Sequence, residues 1–165
     1  MNLKNNKILI TGGSRGIGLA LSKKFAELGN KIIIVNRSNT FPTELKQYGD
    51  KIFIKQCDLS NEQEFESLLV ELENEHSDIN ILINNAAVQF NYLFVDENEL
   101  NSRIESEINL NVTAPIKLAA NLLPILSNKP ELAIVNVSSG LAFAPKENAS
   151  VYCATKAAIH SFRNH

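Results

Sequence analysis

A doubly wound parallel α/β sheet, three layers thick with helices on both faces, is the fold that this 165-residue sequence predicts. Three observations predict it. Short apolar runs rich in β-branched residues alternate with segments of helical period. The runs lack the polar alternation of a sheet with one wet face, so both faces should be covered. A glycine-rich turn, Thr11-Gly-Gly-Ser-Arg-Gly-Ile-Gly18, separates the first run from the first helix. The length suits one domain, 1–165, which would bury about two thirds of its unfolded surface.

The first strand is expected at Ile8-Leu-Ile10. After the glycine turn, Ile17, Ala20, Leu21, Phe25 and Leu28 share a helical face that should pack on the sheet, and Gly29 stops the helix. Ile32-Ile-Ile-Val35 and Ile52-Phe-Ile54 supply the next two strands. Ser60 and Gln63 read as a capping box ahead of Phe65, Leu68, Leu69 and Leu72, in a helix running to about Glu75. Ile79 to Ile83 is the fourth strand. Leu100, Ile104 and Ile108 recur every four residues, and Ala114 to Leu126 is apolar nearly all round, which implies burial against the sheet or a partner subunit. Leu132 to Val137 is the fifth strand. Ser138 to Ser150, with Gly140 and Pro145, then joins a strand to a helix, where ligands of open α/β sheets sit.

Composition narrows the function classes. Sixteen basic against eighteen acidic residues give a net charge of −2 without a basic stripe, so no nucleic-acid partner is expected. The start is too polar, and its apolar run too short, for a signal peptide or membrane span, which predicts a cytoplasmic protein without a membrane partner. Cys57 and Cys153 are too few and too far apart for a disulfide framework or zinc site. His76, His160 and His165 lack metal-ligand spacing, so no metal is expected.

The chemistry points to a nucleotide. A turn rich in glycine lets backbone N–H groups approach a phosphate at a helix N-terminus, where unpaired amides and the helix dipole favour negative charge. Far downstream, Tyr152 and Lys156 lie four residues apart, one helical turn, so the ammonium and the phenol share a face. A neighbouring cation favours the phenolate form of a tyrosine, which fits this pair for proton exchange with a substrate hydroxyl or carbonyl. Sites for NAD place an acid after the second strand, and that acid repels a 2′-phosphate. Here the strand ends Val35-Asn-Arg-Ser38; Arg37, with Arg15 in the glycine turn, forms a basic clamp that favours NADP(H) over NAD(H).

The spacing TGGSRGIG, unlike G-x-G-x-x-G, resembles that of the short-chain dehydrogenase/reductase family, and further motifs follow in order from about Lys7 to the end. Asp58 in Cys-Asp-Leu is similar to the family's adenine-side aspartate, and Asn84-Asn-Ala-Ala87 to its NNAG segment. Asn111 resembles its helix-embedded asparagine; Ser139 and Tyr152-Cys-Ala-Thr-Lys156 resemble its serine and YxxxK pair. The resemblance implies a Rossmann-type domain binding the cofactor through Gly12, Ser14, Arg15, Gly16, Ile17, Gly18, Arg37, Asp58, Asn85, Ala86, Tyr152 and Lys156. It implies an oxidoreductase interconverting a small alcohol and a carbonyl, with Tyr152 as acid/base, Ser139 orienting the oxygen, and Lys156 and Asn111 sustaining a proton relay.

The chain departs from the pattern twice. Ala87 stands where the family has glycine, and the sequence stops at His165, nine residues past Lys156. Family members continue with strands that complete the sheet and supply much of the substrate pocket. The expectation is therefore a shortened form of an active reductase, a homo-oligomer if the C-terminal part is present. The alternative is a non-catalytic dinucleotide-binding remnant or assembly module.

Overall fold

The computed structural model describes residues 2–94, 99–129 and 131–162. The strands are β1 (Lys7–Thr11), β2 (Lys31–Asn36), β3 (Ile52–Gln56), β4 (Ile81–Asn84) and β5 (Ala133–Asn136). The helices are α1 (Gly16–Glu27), α2 (Glu62–Glu75), α3 (Leu100–Ile108), α4 (Ala114–Leu126) and α5 (Ser150–Ser161). The five strands make one parallel sheet in the order β3-β2-β1-β4-β5, with Ile8 opposite both Ile32 and Ile81. The chain winds outward from β1 to one edge, then returns to the other side of β1.

Successive residues of a strand face opposite sides of a sheet, and here both sides are apolar. Leu9, Ile33 and Leu82 pack under α2 and α4 with Phe65, Leu72, Leu118 and Leu122. Ile8, Ile10, Ile34 and Ile83 form the other core, under α1. The doubly wound fold read from the unbroken β-branched runs is the fold observed. Each strand differs from its expected span by one or two residues, mainly because polar residues end them. Asn84 Nδ2 donates to Asn136 Oδ1 at 2.9 Å across the last two strands, so these amides close the ladder that the apolar runs begin.

Four local expectations are corrected. Leu21 and Phe25 of α1 pack on the sheet core as expected, but the most deeply buried residues of the helix are Gly18, Ser22 and Ala26, and Ile17 is 63% exposed. Small residues fill the closest approach of the helix to the glycine turn, where Ser22 Oγ donates to the carbonyls of Gly13 and Gly18. The cap of α2 is one residue on: Asn61 accepts from the Glu64 amide at 3.1 Å, and the Glu64 carboxylate accepts from the Asp58 amide. In α3 the buried residue is Glu107, and Ile108 is largely exposed. The inner face of α4 packs on the sheet through Leu118, Leu122 and Leu126, but Ile116 and Leu123 are exposed, so the helix is not buried all round. The stop at Gly29 is where it was expected; its φ of 90° lies in the left-handed region that glycine tolerates, and its N–H donates to the Ala26 carbonyl.

His76, at the C-terminal end of α2, is buried edge-on to Phe53 with neither ring nitrogen hydrogen-bonded. Burial, then the charges of Lys7 and Lys55, lower its pKa; Glu75 and Asp78 oppose them more weakly. The folded protein therefore holds the imidazole neutral. This contribution to stability is complete above the unfolded value of about 6.5 and is lost as pH falls from there through the folded value. Thermal midpoints between about pH 7.5 and 5.5 should fall less steeply in His76→Phe than in the parent; parallel curves would show that His76 carries no such linkage.

Candidate active site

The sheet reverses its winding between β1 and β4, and the carboxyl ends of these two strands open onto a cleft of about 640 Å³. Crevices at such a switch point are where open α/β sheets bind ligands. The loop after β1 supplies Gly12, Ser14, Arg15, Gly16, Ile17 and Gly18; the end of β2 supplies Asn36 and Arg37; the segment after β4 supplies Asn85 to Val88. Nine of the twelve expected cofactor residues thus share one cavity wall, the six of the turn with Arg37, Asn85 and Ala86, while Asp58, Tyr152 and Lys156 lie outside its lining.

The two loops hold each other. Thr11 Oγ1 accepts from the amides of Asn85 and Ala86, both at 3.0 Å. Asn85 Nδ2 returns to the carbonyls of Thr11 at 2.9 Å and Gly12 at 3.2 Å. Gly12 and Gly16 take φ values of 66° and 53°, and a Cβ on Gly18 would stand 2.1 Å from the Gly12 carbonyl oxygen. The turn is thus tight for reasons of main-chain packing, and it opens α1 with its N-terminal amides toward the cleft.

Among the described residues, neither Arg15 nor Arg37 is paired with a carboxylate, and both line the cleft. Asn36, beside Arg37, has a buried Nδ2 without a partner. Two free guanidiniums and an unused amide donor next to helix amides suit a phosphorylated, anionic ligand. Asp58 is not part of this wall. Its Oδ1 accepts from the Ser60 amide at 2.9 Å at the entry to α2, while its neighbours Cys57 and Leu59 line the cleft. Burial, then Glu64 and Asp58, push the Cys57 thiol up to about 12, which keeps it an unreactive thiol at the base of the wall. Cys153 is likewise free and buried, its sulfur accepting from the Lys146 amide.

Tyr152 and Lys156 lie on α5, which begins after two short 3₁₀ turns, Gly140–Ala142 and Glu147–Ala149. Lys156 is 4% exposed; its Nζ donates to the Val137 carbonyl at 2.8 Å and stands 5.7 Å from the centre of the Tyr152 ring. Burial lowers the pKa of this amine. The two serines are distinct. Ser138 Oγ donates to the Lys156 carbonyl at 2.9 Å, whereas Ser139 Oγ accepts from the Leu141 amide at 3.2 Å, a bond that leaves its own proton unused.

Asn111 sits in a π-helical turn, Asn109–Thr113, between α3 and α4. Its side chain is buried: Oδ1 accepts from the Val88 amide at 2.9 Å, and Nδ2 donates to the Val88 carbonyl at 2.8 Å and to Thr155 Oγ1 at 3.2 Å. Asn111 thereby joins the cleft wall to α5 beside Lys156. Sequence reasoning missed Asn36, Cys57, Leu59, Val88 and Leu110 as lining residues. Val88 and Leu110 adjoin recognised motifs, but nothing in their side chains signals a ligand. His160 packs on Phe143, and His165 lies outside the described residues. Among the described residues no group of His, Cys, Asp or Glu is arranged to hold a metal.

A glycine turn at the switch point of a parallel sheet, with a phosphate-compatible cleft, defines a nucleotide-binding α/β domain. The family model for short chain dehydrogenases matches residues 6–165, and the chain belongs to that family. It is 46% identical over 162 residues to the oxidoreductase DltE of Bacillus subtilis, an alignment covering 98% of this chain and 64% of that protein. It is 30% identical to the NADP-dependent 3-hydroxy acid dehydrogenase YdfG of Escherichia coli O6:H1, over 94% of this chain and 62% of the relative. The short-chain dehydrogenase of Sphingobium yanoikuyae in complex with NADPH superposes with a TM-score of 0.80 at 33% identity, covering 93% of this chain and 61% of that one. The chain thus spans somewhat less than two thirds of the length of these relatives.

Proposed function

We propose that the chain is the cofactor-binding and catalytic portion of an NADP(H)-dependent oxidoreductase that interconverts an alcohol and a carbonyl. The observation that carries this reading is the buried Lys156 amine held one helical turn from the Tyr152 ring, on a helix tied through Asn111 to the nucleotide cleft. When bound, the reduced nicotinamide supplies the hydride. Tyr152 passes a proton to the carbonyl oxygen, the free hydroxyl proton of Ser139 orients that oxygen, and the Lys156 ammonium favours the phenolate left behind. Asn111 holds the wall against α5 and belongs to the relay that returns the proton.

Arg37 and Arg15 carry the choice of cofactor, the 2′-phosphate lying between their guanidiniums. Asp58 acts at the adenine side through the chain it orders, between Cys57 and Leu59. Exposed Ile116 and Leu123 on α4 fit a homo-oligomer contact. NADPH should bind more tightly than NADH in a titration followed by nicotinamide fluorescence. Arg37→Ala should weaken NADPH by about 10- to 100-fold, the range of a charge-assisted bond, and leave NADH within about twofold. Equal affinity of the parent for both would refute the cofactor preference. Turnover of aldehydes and ketones tests the reaction; binding of NADPH without turnover of any would refute it.

A further inference from the structure

The segment 85–94 after β4 has neither helix nor strand, so its main-chain polar groups need partners from elsewhere. One face of α3 and the turn after it meets this segment at every fourth residue, and two of the three residues, Glu107 and Asn111, bind its main chain. The Arg103 guanidinium lies 5.4 Å over the Phe90 ring. Glu107 Oε1 accepts from the Phe90 amide at 2.9 Å, and its Oε2 accepts from the Tyr92 hydroxyl at 3.0 Å. Asn111 brackets Val88. Tyr92 is also joined to the other side of the site, because its amide donates at 2.9 Å to the carbonyl of Asn148, two residues before α5 begins.

Glu107 has no exposed surface. A carboxylate withdrawn from water is expensive unless it is hydrogen-bonded, and a leucine would fill the same space more cheaply if packing were all that mattered. What leucine could not do is hold an amide and a hydroxyl two residues apart on a segment that touches both the cleft wall and the start of the catalytic helix. Resting on the reaction proposed above, we infer that Glu107 is a positioning residue for it. Its carboxylate fixes residues 90–92 and, through Tyr92 and Asn148, sets where α5 begins, and with it the placement of Tyr152 against the cleft.

The test compares Glu107→Leu, Glu107→Gln and Tyr92→Phe in the full chain, with NADPH and a panel of aliphatic and aromatic aldehydes and ketones. Glutamine can remake both bonds, its carbonyl accepting from the Phe90 amide and its amide donating to the Tyr92 oxygen. Glu107→Leu should lower kcat by about 10- to 100-fold, the penalty of a misplacement near 1 Å, with NADPH affinity within about threefold of the parent. Glu107→Gln should recover most of that loss. Should Glu107→Leu not fold, Tyr92→Phe, which removes one hydroxyl, should still lower kcat several-fold at unchanged NADPH affinity. An unchanged kcat in Glu107→Leu, or in Tyr92→Phe if the leucine variant is unfolded, would overturn the inference, as would equal losses in kcat and NADPH affinity.

Hydrogen exchange of the ligand-free proteins separates this inference from the reaction it rests on. Faster exchange in both 90–92 and 147–153, with 12–18 unchanged, supports the coupling in Glu107→Leu or, if that variant does not fold, Tyr92→Phe. Faster exchange confined to 90–92 overturns it. A parent that binds NADPH but turns over no carbonyl would refute the proposed reaction and the positioning role in it, whatever the exchange result.

Discussion

Tyr152→Phe is expected to lower carbonyl reduction by about 10²- to 10⁴-fold while NADPH affinity falls by at most about tenfold, the loss of one neutral hydrogen bond to the ribose. The substitution removes one oxygen and leaves the ring that the Lys156 amine approaches at 5.7 Å. Among the described residues the Tyr152 hydroxyl makes no hydrogen bond within the protein, so its loss leaves no buried group unpaired and should move the thermal midpoint little. Binding should survive because the phosphate side of the cleft is built from the glycine turn, Arg37 and the segment 85–88, none of which touches that hydroxyl. The check is steady-state turnover beside a fluorescence titration. A phenylalanine variant reducing carbonyls at the parent rate would remove Tyr152 from the chemistry.

Gly18→Ala should act on a different quantity, the affinity for the nucleotide. The added methyl would stand 2.1 Å from the Gly12 carbonyl oxygen and 2.6 Å from Asn85 Nδ2, the atom that clasps the glycine turn from the other loop. Main chain cannot yield as a flexible side chain can, so either α1 lifts from the sheet or the clasp breaks. Overpacking of this kind costs about 1–3 kcal/mol, and here it also displaces the amides that face the cleft. The expected result is a lower thermal midpoint together with at least about a tenfold loss of NADPH affinity, since 1.4 kcal/mol is a factor of ten. Gly140→Ala makes the control, because a Cβ there meets no atom within 4 Å and its φ is not in the left-handed region. If Gly18→Ala bound NADPH like the parent, the tightness of the turn would have no bearing on the nucleotide.

Much of this architecture was legible because a strand buried on both faces has to be apolar throughout, and few other structures demand that of four or five residues. Ile32 to Val35, after a segment of helical period, has hardly another reading. The glycine turn was legible because its glycines are required by main-chain geometry, which leaves the same trace in any sequence. Failures came where polar or small residues do interior work. Gly18, Ser22 and Ala26 carry little hydrophobic signal, yet they are the most deeply buried residues of α1. Glu107 reads as solvent-facing in a helix whose apolar repeat is Leu100, Ile104 and Ile108, and it is the residue of that helix with no exposure.

The site divides the same way. Residues close in sequence lie together in the structure: the turn from Gly12 to Gly18 on one cleft wall, and Tyr152 beside Lys156, where one helical turn fixes the spacing. What could not be read was the direction in which a side chain turns. Asp58 and Cys57 are neighbours, but the aspartate orders the entry to α2 and the cysteine lines the cleft. Ser138 and Ser139 differ only in which way the chain leaves β5, and that direction gives one of them to the Lys156 carbonyl. Such choices depend on contacts from distant segments, which spacing along the chain does not encode.

In the proposed complex one nucleotide lies on the main-chain amides of the first β-α turn and reaches Tyr152 and Lys156 with its nicotinamide end. A crystal structure with NADPH bound measures this directly. Phosphate oxygens should lie on the amides between Ser14 and Gly18, the 2′-phosphate between Arg15 and Arg37, and ribose hydroxyls beside the nicotinamide within hydrogen-bonding reach of Tyr152 Oη and Lys156 Nζ. A dinucleotide seated in the cleft with its nicotinamide directed away from α5 would contradict it.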